Sequence, residues 1–144
     1  MSFFGTLNNP SVLSWNTSLN LCGQNGVNCS SSGKVTQLQL PGLVLFGSIP
    51  SQLALLTNLT TLILSDNLLY GTIPSSFPSG LQVLDLARNK LIGAIFPVLA
   101  TARLTTLNLA GNTFQSPLPA YSGWANTTDY ITRCRTLILW IKQR

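Results

Sequence analysis

Residues 59–74 read LTTLILSDNLLYGTIP, and this stretch decides the fold because its pattern recurs along the chain. Four segments share the pattern of its first six positions, with apolar residues at the first, fourth and sixth. They begin 22 to 24 residues apart. In the last three segments an asparagine follows the sixth position by three residues. The four segments begin at Val35, Leu59, Leu81 and Leu104.

The spacing within each segment predicts a short strand, because alternate residues of an extended chain face opposite sides and the leucines would share the buried side. A repeat of roughly 20–29 residues predicts a solenoid whose neighbouring coils stack these strands into a parallel ladder. An asparagine amide both donates and accepts hydrogen bonds, so it can satisfy backbone groups where the chain turns away from the strand. This expected structural ladder comprises Asn67, Asn89 and Asn112.

The second half of each repeat narrows the subtype. GSIP follows at residues 47–50, GTIP at 71–74, GAIFP at 93–97 and SPLP at 116–119. With the strand pattern, this resembles the plant-specific leucine-rich repeat LxxLxLxxNxLxGxIP. The third and fourth copies depart from it, through an extra phenylalanine before the proline and a serine for the glycine. The resemblance implies an α/β leucine-rich-repeat solenoid, a short right-handed superhelix with a parallel β-ladder on its concave face and irregular or 3-10 convex segments.

The beginning of the chain resembles the N-terminal cap of plant leucine-rich-repeat proteins. SWN at residues 14–16 precedes CGQNGVNC at 22–29, where the family has CxWxGVxC. The departure is a missing tryptophan between the cysteines. The resemblance implies a disulfide between Cys22 and Cys29. Two free thiols are the alternative, and a metal pair is disfavoured because no histidine or nearby third thiol could complete the ligand set.

We therefore expect an N-terminal cap at residues 1–34, four repeats at 35–119 and an irregular tail at 120–144. Within the tail, CRTLIL at 134–139 matches the strand pattern weakly and begins 30 residues after Leu104. Two interpretations stay open. The match is a degenerate fifth strand after an insertion, or the tail stands outside the family architecture. The broken spacing favours the second interpretation.

Composition excludes most catalytic chemistries. The 144 residues are 45% hydrophobic and 8% charged, and they include no histidine. The side-chain carboxylates are Asp66, Asp85 and Asp129. Ser-His-Asp, Cys-His and histidine-based metal sites are therefore excluded, and a glycosidase-like pair could come only from Asp66 and Asp85. Both read more simply as solvated side chains, so we expect no enzyme, no metal site and no cofactor.

The charge pattern and hydropathy exclude two classes of partner. The net charge is +5, but no run of Lys and Arg with interleaved aromatic residues predicts nucleic-acid binding. No stretch reaches the roughly 18–20 apolar residues that span a bilayer. The first residues lack the basic and apolar regions of a secretory signal. We expect a chain without a membrane span, placed outside the cell or at its surface, with its targeting segment outside this sequence.

Four N-x-S/T sequons fit an extracellular chain. The sequon at residue 58 has the best location, in the loop just before a predicted strand. The predicted glycosylation sites are Asn16, Asn28, Asn58 and Asn126.

Side chains on either side of the inward leucines are expected to line the concave face and bind a partner. The alternative is a solvated face that binds nothing. The predicted face consists of Gln37, Gln39, Thr61, Ile63, Ser65, Asp66, Val83, Asp85, Ala87, Arg88, Thr106 and Asn108.

Modules of this kind look like ectodomains of receptor-like kinases and receptor-like proteins, or like polygalacturonase-inhibiting proteins. The resemblance implies a non-catalytic extracellular recognition module, part of an ectodomain, that binds a protein or peptide ligand or a co-receptor. The alternatives are a truncated fragment without function and a secreted inhibitor that binds a cell-wall hydrolase.

Overall fold

Each repeat contributes one strand to a parallel ladder in the computed structural model of the chain, which describes residues 7–8, 21–95, 104–114 and 136–138. Short 3-10 helices lie at Leu21–Gly23 and Ser51–Leu55. In chain order the strands are β1 (Leu7–Asn8), β2 (Val27–Cys29), β3 (Val35–Gln39), β4 (Phe46–Gly47), β5 (Thr61–Ile63), β6 (Leu68–Thr72), β7 (Val83–Asp85), β8 (Lys90–Gly93), β9 (Thr106–Asn108), β10 (Thr113–Phe114) and β11 (Thr136–Ile138).

The predicted ladder is confirmed as a six-stranded sheet in the order β2-β3-β5-β7-β9-β11. All neighbours are parallel except β2, which lies antiparallel to β3 at the N-terminal edge. The central leucine of each repeat lies in register with that of the next coil, so one buried row runs through Leu38, Leu62, Leu84 and Leu107. The recurrence of the leucines from coil to coil thus produces a continuous core.

A second sheet, which the repeat pattern does not predict, lies beyond the turn of each coil. Its five strands run in the order β1-β4-β6-β8-β10, and all pairs are parallel except β1 with β4. The convex side follows the prediction: it holds the 3-10 helix Ser51–Leu55 in one coil, and residues 73–82 of the next form neither helix nor strand. A coil therefore contributes one strand to each of the two sheets before the next coil begins.

The core fills the space between the two sheets and the convex segments. Leucines of both sheets are buried together with the isoleucine of each GxIP-type segment, Ile49, Ile73 and Ile95. Burying one such side chain stabilises the fold by about 1.5–3 kcal/mol. Because each coil shares this core with its neighbours, the coils stabilise one another.

Asn67 joins two coils through its buried side-chain amide. Its Oδ1 accepts hydrogen bonds from the backbone N–H groups of Leu43 and Leu45, at 3.0 and 2.9 Å. Its Nδ2 donates to the carbonyl oxygens of Leu40 and Leu64, at 2.8 and 3.0 Å. The first repeat has leucine at the ladder position, so Asn67 also serves the turn of a coil that lacks its own asparagine.

The later coils repeat this arrangement. Asn89 accepts the N–H of Leu69 at 3.0 Å, and Asn112 accepts the N–H of Leu91 at 3.0 Å. Asn112 Nδ2 also donates to the Leu86 carbonyl of the preceding coil at 2.9 Å. The side-chain amides thus form the hydrogen-bonded ladder between coils that the sequence predicts.

The cap closes the N-terminal edge of the larger sheet. Cys22 and Cys29 form a disulfide, as the resemblance implies. Between them, Gly26 lies against the first coil, because its carbonyl accepts the N–H of Gln39 at 2.7 Å. Residues 9–20, which include the SWN motif, lie outside the described residues.

Part of the tail adds a strand to the ladder. Strand β11 pairs parallel with β9, with Thr136 opposite Thr106 and Leu137 opposite Leu107. This pairing matches the interpretation of a degenerate fifth strand. The broken spacing had favoured the other interpretation. Backbone pairing does not require regular spacing, because the connection before the strand can vary in length. The rest of residues 120–144 lies outside the described residues, and the domain boundaries stay predictions.

Candidate functional site

The outward positions of the ladder strands form two straight columns of side chains. Strand register places corresponding residues side by side, about 4.8 Å apart from one coil to the next. Every one of these side chains is partly exposed. We call the eight residues the ladder face: Gln37, Thr61, Val83 and Thr106 in one column, and Gln39, Ile63, Asp85 and Asn108 in the other.

The ladder face changes in character along the solenoid. It is apolar in the middle, where Ile63 and Val83 lie on adjacent strands, and its single charge is Asp85. The Asp85 carboxylate accepts the backbone N–H of Ala87 at 3.0 Å. Asn108 makes the same contact two residues along, at 3.3 Å. Both polar side chains are therefore oriented by their own backbone, while the apolar pair stays accessible.

An amide cluster closes the N-terminal end of the ladder face. Gln37 Oε1 accepts hydrogen bonds from Asn28 Nδ2 at 3.0 Å and from Gln39 Nε2 at 2.8 Å. Asn28 is exposed on β2, opposite Gln37. The repeat period predicts the two glutamines on the face but not Asn28, because β2 joins the sheet by an antiparallel contact that this period does not encode.

The prediction that Ser65 and Ala87 line the concave face is wrong. Ser65 is only 5% exposed and Ala87 is fully buried. Both stand where the chain leaves its strand, and both have carbonyl oxygens bonded to the adjacent coil: Ser65 accepts the N–H of Gly42 at 3.0 Å, and Ala87 that of Asp66 at 2.9 Å. The close approach of the coils leaves room for small side chains but buries them.

Asp66 and Arg88 lie just beyond the ladder face and are bound to each other. The Arg88 guanidinium donates to both carboxylate oxygens of Asp66 through Nε and Nη2. Both side chains are exposed. The hydrogen bond from Arg88 lowers the pKa of Asp66, partial desolvation opposes this, and the positive charge of Arg88 adds to the lowering. The same hydrogen bond and charge raise the pKa of Arg88.

This pairing does not suit Asp66 to act as a general acid. A glycosidase acid needs a raised pKa, which usually comes from an apolar site, whereas Arg88 lowers the pKa of Asp66. The carboxylate of Asp85, the second member of the hypothetical pair, accepts a hydrogen bond from the backbone N–H of Ala87. The arrangement does not support a glycosidase-like pair.

Within the described ranges, no three His, Cys, Asp or Glu side chains gather where they could hold a metal ion. Among the same residues, no helix has the length and apolar character needed to cross a bilayer.

The predicted glycosylation sites fall in different places. Asn28 is exposed beside the ladder face, and Asn58 is exposed in the turn before β5. Asn16 and Asn126 lie outside the described residues.

The outer face of the second sheet carries a row of exposed apolar side chains that the repeat pattern does not predict. Phe46 and Leu68 lie opposite each other on β4 and β6, Tyr70 follows on β6, and Ile92 lies on β8. Each is between 38% and 54% exposed. The alternation of these residues with buried Leu69 and Leu91 was the signal for a strand, and it is visible only once the second sheet is recognised.

The repeats of this chain are similar to those of known proteins. The Leucine Rich Repeat family model matches residues 58–79 and 80–101. Receptor-like protein 3 of Arabidopsis thaliana is 40% identical over 76 residues, which cover 51% of this chain and 10% of that protein. The chain thus spans about a tenth of the length of this curated relative.

Solved structures match nearly the whole chain. The BIR2 ectodomain from Arabidopsis thaliana is 30% identical, with a TM-score of 0.79 over 94% of this chain and 73% of that one. The Arabidopsis receptor kinase HAESA, in complex with the peptide hormone IDA and the co-receptor SERK1, is 27% identical. The TM-score is 0.61, over 93% of this chain and 27% of the solved chain.

Proposed function

Because this chain belongs to the family of plant leucine-rich-repeat receptor ectodomains, we propose that it is a non-catalytic extracellular recognition module. Its ladder face contacts a protein or peptide ligand, or a co-receptor. The observation that carries the proposal is the register of β3, β5, β7 and β9, which lines up eight partly exposed side chains in two columns.

The chemistry of the ladder face supports an extended polar ligand with apolar groups. Ile63 and Val83 offer an apolar centre, and amide and hydroxyl groups lie on both sides of it. HAESA, a related ectodomain, was crystallised with a peptide hormone and a co-receptor. That complex supports the same classes of partner for this chain.

The ladder face is a small surface for recognition. Four parallel strands span about 15 Å from first to last. A stable protein interface buries about 800 Å² on each partner, more than a patch two residues wide and four strands long presents. A small peptide segment fits this area better than a folded domain.

To test the proposal, the full chain is secreted and immobilised, and peptides that bind it are selected from a displayed library. Ile63→Arg introduces a charge at the apolar centre of the ladder face. Its matched control is Ile92→Arg, the same change at an exposed strand position on the second sheet. Peptides enriched by the unchanged chain should lose most of their binding to Ile63→Arg and keep it on Ile92→Arg.

Peptides that bind both variants equally well, or lose binding equally to both, would place recognition elsewhere and overturn the proposal. An equal melting temperature for the two variants separates a lost contact from a lost fold. Failure to enrich any peptide, together with binding of a folded receptor ectodomain through Ile63, would assign the co-receptor class instead.

A further inference from the structure

Asn28 stands on the ladder side of the larger sheet, at its N-terminal edge. The antiparallel register pairs it with Gln37 and pairs Val27 with Leu38. Val27 and Leu38 are buried, so the alternation along each strand turns Asn28 and Gln37 outward together. Whatever is attached to Asn28 therefore projects beside the ladder face.

The side-chain amide of Asn28 donates a hydrogen bond to the ladder face. Nδ2 carries two hydrogens, and one of them is donated to Gln37 Oε1 at 3.0 Å. Gln37 Oε1 is held from its other side by Gln39 Nε2 at 2.8 Å. The second Nδ2 hydrogen has no partner among the described residues. Asn28, Cys29 and Ser30 also form a complete N-x-S sequon.

We propose that Asn28 carries an N-linked glycan whose first sugar stands beside Gln37 and closes the N-terminal end of the ladder face. Ligand contacts then begin at Thr61 and Ile63. The position of the glycan is independent of any ligand, whereas its effect on recognition rests on the proposed function.

The sugar donor is a lipid-pyrophosphate-linked oligosaccharide, which the secretory pathway supplies. The Asn28 Nδ2 atom forms a bond to the anomeric carbon of the sugar. The bond from that carbon to the pyrophosphate oxygen breaks, and one Nδ2 proton leaves with the lipid pyrophosphate. The amide keeps one N–H, which can still donate to Gln37 Oε1 and orient the sugar.

Folding constrains the backbone of this sequon. Cys29 is joined to Cys22, and the Ser30 hydroxyl accepts the N–H of Lys34 at 3.2 Å in a tight turn. The folded sequon is therefore held in a turn, between the disulfide and Lys34.

Asn58 provides an internal comparison, because its sequon lies in the turn before β5 and not on a strand of the larger sheet. It is exposed in the turn before β5, and the next residue, Leu59, is fully buried. A glycan on Asn58 therefore projects into solvent from the turn before β5. The two sequons should both be occupied but differ in what they cover.

The first experiment measures occupancy on the full chain, expressed behind a secretion signal in plant cells. Enzymatic deglycosylation in ¹⁸O water converts each glycosylated asparagine to labelled aspartate, which peptide mass spectrometry locates. Label at both Asn28 and Asn58 is expected. An Asn58 peptide with label and an Asn28 peptide without it overturns the proposal.

The second experiment measures shielding by the rate at which a bulky maleimide labels a single introduced thiol. Thr61→Cys lies one strand from Gln37, and Thr106→Cys lies two strands further along the same column. Both are made in a Cys134→Ser background. Labelling at residue 61 should be several-fold slower than at residue 106, and Ser30→Ala, which removes the sequon, should abolish the difference.

A rate at residue 61 that Ser30→Ala leaves unchanged overturns the shielding, even if Asn28 is glycosylated. Asn28→Gln is a second way to remove the acceptor if Ser30→Ala disturbs the turn at Lys34. Neither measurement uses a ligand, so failure of the glycan proposal is distinguishable from failure of the recognition proposal.

Discussion

The guanidinium of Arg88 holds both carboxylate oxygens of Asp66, the residue at the same position of the preceding coil. Both residues adopt left-handed backbone angles, with φ of 51° and 59°. The first and fourth coils have Gly42 and Gly111 at this position, with φ of 67° and 70°. An exposed ion pair is too weak to impose such angles. The backbone imposes them, because Asp66 and Arg88 donate their N–H groups to the next coil at 2.9 and 2.7 Å.

Asp66→Asn should remove the charge while keeping a residue that tolerates a left-handed backbone. Arg88 lowers the pKa of Asp66 in the folded state, so the carboxylate stabilises the fold above its ordinary pKa. This stability is lost as the pH falls through the lowered value. The unchanged chain should melt slightly above the variant at neutral pH, and the gap should close in acid.

The measurement is thermal unfolding of both proteins across the acidic range. Added salt at neutral pH should shrink the same gap, because exposed charges are screened. A gap that stays constant or widens on acidification would show that the ion pair is not its source.

Asn67→Ala should destabilise the protein by about 3 kcal/mol or more, since it strands buried backbone groups of two coils at about 1–3 kcal/mol each. Asn112→Ala is the matched control, because its side chain is partly exposed and water can replace it. Urea unfolding measures both. Equal losses would mean that burial of the amide does not set its contribution.

Gly26→Ala should weaken the attachment of the cap. A methyl group there would overlap the Gln39 carbonyl of the first coil and approach a Leu40 methyl to 2.8 Å, at a φ of 80°. Gly33→Ala has a similar φ of 72° but meets nothing within 4 Å. We expect about 1–2 kcal/mol from the backbone in both variants and about 1–3 kcal/mol more at residue 26.

Chemical denaturation of the two glycine variants tests this difference. Similar losses of stability would indicate that the cap loop can move away from the first coil without cost.

Replacing both Cys22 and Cys29 by serine should lower the free energy of unfolding by about 2–3 kcal/mol, the chain-entropy effect of opening so short a loop. Cys134→Ser serves as the background and control, so that disulfide exchange cannot occur. Reducing agent should produce the same loss in the control and none in the double variant. An unchanged stability after reduction would make the bridge dispensable for folding.

The ladder, its leucine core and its asparagines could be predicted because each is encoded locally and then repeated. A leucine such as Leu62 faces inward by strand alternation alone, and its equivalents at regular spacing must stack on it. The columns from Gln37 to Thr106 and from Gln39 to Asn108 follow from the same argument. The outward direction of Ile63 needed nothing beyond the period, whereas the disulfide was implied by the resemblance of the cysteine motif to the family's cap.

Other features depend on how far each coil turns before it meets the next. The burial of Ser65 and Ala87, the grip of Arg88 on Asp66 and the second sheet through Tyr70 arise where neighbouring coils approach. No property of those residues alone reports that distance.

By itself, the sequence determined a leucine-rich solenoid with an asparagine ladder and outward columns of side chains, because apolar strands that recur every 22 to 24 residues can be buried by stacking one coil on the next. Only the tertiary structure decided which of those side chains stay accessible and what joins the ladder at its ends. It placed Asn28 beside Gln37 and the strand Thr136–Ile138 beside β9. Both are contacts between backbone segments outside the period, and hydrogen-bond geometry rather than residue type selects them.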